Sequence, residues 1–141
     1  MDTQGKFTYR VLIVHDDLRI IDLLKRYFPK EQFNLMFAYD GLEGIQKVRD
    51  FDPHCIITKA YLARINGLMM TRIIKFDKRY EHIPVIMLLS GITTSLKGEL
   101  QKVRVNMVIL EPFHQNRILK AVVNLVYSSR LHRQTTDKVI I

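Results

Sequence analysis

The chain has 141 residues, 48% of them hydrophobic, which is enough to bury a core and within the size of one domain. No apolar run is long enough to span a bilayer and residues 1–7 carry no signal-peptide pattern, so a soluble, cytoplasmic protein without membrane contact is expected. The formal charge of +8 invites nucleic acid, but the Lys and Arg residues are spread along the whole chain; the densest group, Lys75, Lys78 and Arg79, falls where a helix should end and its dipole favours cations in any case.

Five short apolar runs, at 9–14, 35–38, 55–58, 85–89 and 107–110, alternate with amphipathic segments. That alternation predicts an α/β fold in which parallel strands are joined by crossover helices. Within the first helical segment Ile20, Leu24, Tyr27 and Phe28 recur at helical spacing, and Pro29 marks the stop. Cys55 lies inside the third apolar run with no second thiol, which excludes an internal disulfide and makes it a core residue. Further helices are expected over 41–51, 67–77 and 95–104. The last should open with Asn116 as N-cap and carry Ile118, Leu119, Val122, Val123, Leu125 and Val126 on its apolar face. Residues 1–8 read as a flexible start, 9–130 as the domain, and 131–141 as a polar tail or linker ending in Val139, Ile140 and Ile141.

In an open doubly wound sheet the working side chains lie on the loops that leave the C-terminal ends of the strands. That rule selects His15, Asp16 and Asp17 after the first strand, Lys59 after the third, Leu89 and Ser90 after the fourth, and Glu111 after the fifth. No P-loop, Gly-rich dinucleotide turn or nucleophile elbow occurs, so no enzyme is indicated. His54 and Cys55 are strand neighbours facing opposite ways, and His82, His114 and His132 show no ligand spacing with them, so no metal site is expected.

The pattern resembles the receiver domains of two-component signalling over about residues 9–130. The resemblance is carried by Val11-Leu12-Ile13-Val14 followed by acids, Asp40-Gly41-Leu42-Glu43-Gly44 opening the second helix, and Pro53-His54-Cys55-Ile56-Ile57 leading into the third strand. It continues with Gly67, the Ile83-Pro84-Val85-Ile86-Met87-Leu88 strand and Glu111-Pro112-Phe113. It implies a flavodoxin-like, doubly wound, five-stranded parallel sheet of order 2-1-3-4-5 with five helices.

The departures carry the functional reading. In the family an acidic pair after strand one holds magnesium, an Asp after strand three takes a phosphoryl group, a Thr or Ser after strand four senses it, and a Lys after strand five contacts it. Here His15 stands at the first acidic position and Asp16 at the second, with Asp17 beside them. Lys59 stands at the phosphoacceptor position, Leu89 at the switch hydroxyl, Glu111 at the Lys, and Val108 at the switching aromatic. Lysine cannot form an acyl phosphate and its ammonium repels a divalent ion, so magnesium is not expected as a cofactor. Lys59 and Glu111 exchange the family's charges, and a salt bridge between them, with Asp16 as second acceptor, is expected.

The resemblance thus implies a pseudo-receiver that regulates a protein partner or a fused output domain through about residues 95–130, with a homodimer also open. Lys59 as an activated amine and His15 as a phosphate acceptor or pH switch are weaker readings, because nearby carboxylates keep an amine protonated and a pocket histidine commonly serves as a hydrogen-bond partner. The alternatives are a basic module contacting nucleic acid and a divergent phosphotransfer receiver using Asp16 or Asp17.

Overall fold

A computed structural model of the protein describes residues 6–135. Its elements follow in the order β1 Tyr9–Val14, α1 Leu18–Tyr27, β2 Phe33–Ala38, α2 Gly41–Phe51 and β3 Cys55–Lys59, then α3 Gly67–Lys75, β4 Val85–Leu89, α4 Thr94–Lys102, β5 Met107–Leu110 and α5 Gln115–Thr135. All strand pairings are parallel, and the sheet order is β2-β1-β3-β4-β5. The expected α/β class, strand order and five helices are all present.

Alternation along the strands divides the interior into layers. Val11 and Ile13 of β1 point into a core shared with α1 and α5, where Leu24, Ile118 and Val122 pack. Leu12 and Val14 point the other way, towards Val48 of α2 and Met70 and Ile74 of α3. A third cluster joins Leu68, Met87 and Leu89 to Leu96 and Leu100 of α4. A continuously apolar strand is what this arrangement requires, because both faces of β1 lose contact with water. Cys55 is fully buried, and burial pushes its thiol up to about 12.

Helix starts are set by side chains that accept otherwise orphaned N–H groups. Asp17 caps α1 by accepting from Arg19 N–H, Asp40 caps α2, Asn66 caps α3 and Thr93 caps α4. Two expected boundaries, the start of α5 and the end of α4, are corrected. Asn116 lies inside the first turn of α5 rather than capping it, since the His114 carbonyl already accepts from the Arg117 and Ile118 amides. The same helix runs on to Thr135, so residues 131–135 of the stretch expected as a tail or linker are helical. No Gly or Pro stands in that polar stretch to stop it. Helix α4 ends at Lys102, because Val103 closes it and Arg104 takes a left-handed φ of 64°. Residues 1–5 of the expected flexible start and 136–141 of the expected tail, including Val139, Ile140 and Ile141, lie outside the described residues.

Lys75 ends α3, as expected, but its side chain is not solvated. It is 5% exposed, and its ammonium donates to the Ile83 carbonyl at 2.7 Å, tying the end of α3 to the loop before β4. Burial pushes its pKa down to about 8.

Candidate functional site

Four strands deliver the selected side chains to one end of the sheet. β1 stops at Val14 and places His15, Asp16 and Asp17 in the turn to α1; β3 ends on Lys59, β4 on Leu89, and β5 leads into Glu111. His15, Asp17, Lys59, Leu89, Ser90 and Glu111 line a single cavity of about 400 Å³, together with Arg19 and Tyr61. Asp16 sits at its rim, holding Lys59 from outside the lining. Gly67 allows the turn after β3 to close over this end: its N–H donates to the Ala60 carbonyl at 2.7 Å, and a Cβ there would fall inside the Lys59 carbonyl oxygen.

The charged groups pair only in part as expected. Lys59 Nζ donates to Asp16 Oδ1 at 2.9 Å, and Glu111 is not within ion-pair distance of Lys59. Of the two acceptors expected for Lys59, Asp16 therefore holds it and Glu111 does not. The physical reason is solvation. The Lys59 and Asp16 side chains are 38% and 43% exposed, so both ions keep part of their hydration, whereas the Glu111 side chain is 25% exposed with its Oε1 buried, 3.8 Å from His15 Nε2.

His15 is 3% exposed. Its Nδ1 accepts the Asp17 backbone N–H at 3.0 Å, which leaves the proton of a neutral ring on Nε2, 3.8 Å from Glu111 Oε1. Burial, reinforced by the Lys59 ammonium, lowers the His15 pKa and keeps the ring neutral, against the opposing pull of Asp16 and Asp17. Glu111 Oε1 is buried and has no hydrogen-bond partner. Burial first, and the Asp17 charge second, raise the Glu111 pKa, while Lys59 partly offsets them.

Asp17 is occupied as well. Its carboxylate accepts from the Arg19 backbone N–H at 2.9 Å and from the guanidinium at 3.2 and 3.3 Å, and these bonds lower its pKa. Sequence reasoning did not single out Arg19. The signal was present, since an Asp two residues before an Arg at a helix start can both cap the helix and hold the cation. Leu89 is 5% exposed, and Val108 packs beside it in the apolar cluster of α4 rather than at the cavity. Among the described residues no group of three or more His, Cys, Asp or Glu side chains is arranged to hold a metal ion.

Fold and site together define a receiver module, and the family model for the response regulator receiver domain matches residues 11–123, so the chain belongs to that family. It is similar to the hybrid signal transduction histidine kinase D of Dictyostelium discoideum, 28% identical over 116 residues that cover 82% of this chain and 7% of that one. It is also similar to the probable transcriptional regulator ycf29 of Pyropia yezoensis, 24% identical over 119 residues, covering 84% of this chain and 54% of that one. The chain thus spans a small part of the first relative and about half of the second. Among solved structures, the signal receiver domain of a signal transduction histidine kinase from Syntrophus aciditrophicus superposes with a TM-score of 0.81 at 18% identity, covering 95% of this chain and 98% of that one.

Proposed function

We propose that this receiver domain works without phosphorylation, as a binding module that regulates a partner protein or a fused output domain through its surface. The observation that carries this reading is Lys59 at the end of β3, with its ammonium 2.9 Å from Asp16. An amine at that position offers no carboxylate to phosphorylate. Its charge also neutralises an acid that would otherwise attract a divalent ion.

The residues present do not suit magnesium, which takes a near-octahedral shell of oxygens. Asp16 is engaged by Lys59, Asp17 by Arg19, and the neighbouring position offers the neutral imidazole of His15. The positions that would relay a phosphorylation signal also lack the means. Leu89 has no hydroxyl to reach a phosphoryl group, and Val108 packs with it in an apolar cluster instead of presenting a ring that can swing. Output through about residues 95–130 is supported by apolar surface near α4 and β5, where Ile92 is 48% and Leu110 52% exposed.

The test is the intact mass of the protein after incubation with magnesium and acetyl phosphate, alongside a variant combining His15→Asp, Lys59→Asp and Glu111→Lys. The expected result is no adduct on the natural chain and one phosphoryl adduct on the variant, which would establish that the pocket geometry survives. An adduct on the natural chain overturns the proposal, and its position would decide whether Asp16 or Asp17 serves as acceptor.

A further inference from the structure

Helix α3 is apolar on both faces. Leu68, Met70, Thr71 and Ile74 are buried against the sheet, yet the outward face carries Met69, Ile73 and Phe76 at 49%, 41% and 56% exposure. With Arg72 these occupy positions i, i+3, i+4 and i+7 of one helical stripe, which a helix with only an inner face to bury has no reason to keep apolar.

The ridge ends in a cationic clasp. The Arg104 guanidinium lies 4.3 Å from the centre of the Phe76 ring, and that of Arg72 lies 5.9 Å from it. Arg104 reaches the ring from beyond α4, at a residue whose φ of 64° turns the chain after that helix. Arg10, Arg19, Arg64 and Arg79 each hold a carboxylate. Among the described residues Arg72 and Arg104 hold none, and the nearby Asp77 is taken by Arg79. The stripe itself contains no acid.

We infer that the outer face of α3 is a docking surface for an acidic amphipathic helix, which lays apolar side chains along Met69, Ile73 and Phe76 and sets carboxylates against Arg72 and Arg104. A helix-sized stripe selects a helical partner, and unpaired guanidinium groups stacked on an aromatic ring select carboxylates at its edge. A second copy of the chain is disfavoured, because two-fold pairing sets the same acid-free patch on both sides of the contact. This surface lies outside the cavity lining and shares only Arg104 with residues 95–130.

The test uses a fluorescein-labelled synthetic helix with apolar residues at i, i+4 and i+7 flanked by glutamates, and the same peptide with glutamines in their place. Anisotropy at low salt and methyl NMR are read together. Saturable binding is expected, with shifts at the Met69 and Ile73 methyls. The glutamine peptide, and a protein carrying Arg72→Glu and Arg104→Glu, should each bind about tenfold or more weakly. Ile73→Ser should do the same, and unchanged thermal unfolding of these surface variants would exclude misfolding.

No shift on α3 at about 1 mM peptide, the weak end of useful affinity, overturns the inference. Binding that is indifferent to the charge changes also overturns it. Sedimentation showing a dimer that Ile73→Ser dissolves would replace the acidic helix with a second copy. Duplex DNA moving the Arg72 and Arg104 signals when the peptide does not would replace it with nucleic acid.

Discussion

His15 Nε2 and Glu111 Oε1 face each other at 3.8 Å, too far for a hydrogen bond, and the Glu111 oxygen has no other partner. A buried acceptor left without a donor costs about 1–3 kcal/mol. Glu111→Gln keeps a polar atom there but removes the buried charge, and is expected to stabilise the protein by about 1 kcal/mol at pH 7, measured by urea unfolding. The folded-state pKa of Glu111 is raised, so the penalty belongs to the ionised form and fades as pH falls through that pKa. The advantage of Gln should shrink in the same unfolding measurement at about pH 4, near the ordinary glutamate pKa. An advantage that grows on acidification would contradict the assignment.

The Lys59–Asp16 bridge is exposed by more than a third on both sides, and solvent screening keeps such pairs weak. A double-mutant cycle with Lys59→Met and Asp16→Asn should give a coupling of about 0.2–1 kcal/mol, and the corresponding cycle between Lys59 and Glu111 a smaller one. Equal or larger coupling to Glu111 would restore the charge-exchanged pair that the sequence suggests.

Gly67→Ala should be among the most damaging single changes near the site. Its Cβ would collide with the Lys59 carbonyl, a backbone atom that cannot move without disturbing both the end of β3 and the Gly67–Ala60 hydrogen bond. A loss of about 2–3 kcal/mol or more in urea unfolding is expected. Gly98→Ala, in α4 with open space around the added atom, provides the contrast, and it should be neutral or stabilising by up to about 1 kcal/mol.

Acid sensitivity should arise at His15, whose pKa burial lowers, and also at a histidine far from the cavity. His54 Nδ1 accepts the Arg10 backbone N–H at 2.8 Å; burial first, then the Arg10 and Arg130 charges, push its pKa down to about 4. A base with a depressed folded pKa leaves the unfolded chain holding more protons, so stability falls as pH drops from about 6.5 towards 4. The loss attributable to His54 should be of order 1–3 kcal/mol, and His54→Asn should flatten that part of the profile. The carboxylates of Asp17, Asp40 and Asp77 have lowered pKa values, so their contributions persist through this window and are lost only at lower pH.

The order of elements, the parallel sheet and the residues brought to its working end were legible in the amino-acid sequence. β1, α2, β4 and β5 begin and end where the apolar runs and turn residues place them. These features are written locally: a strand buried on both faces must be continuously apolar, an Asp before a helix can cap it, and loops leaving the strand ends converge in this topology. Tertiary structure alone decided which acid Lys59 holds, that His15 is buried and neutral, that Lys75 is drawn inside to serve two carbonyls, and that Arg104 crosses from the end of α4 onto Phe76. Each of these depends on the distance and water exposure of groups distant in sequence or on separate elements, Lys59 and Asp16 being 43 residues apart. Residue spacing records neither quantity, because the choice between two acceptors turns on how much hydration each ion keeps once the chain is packed.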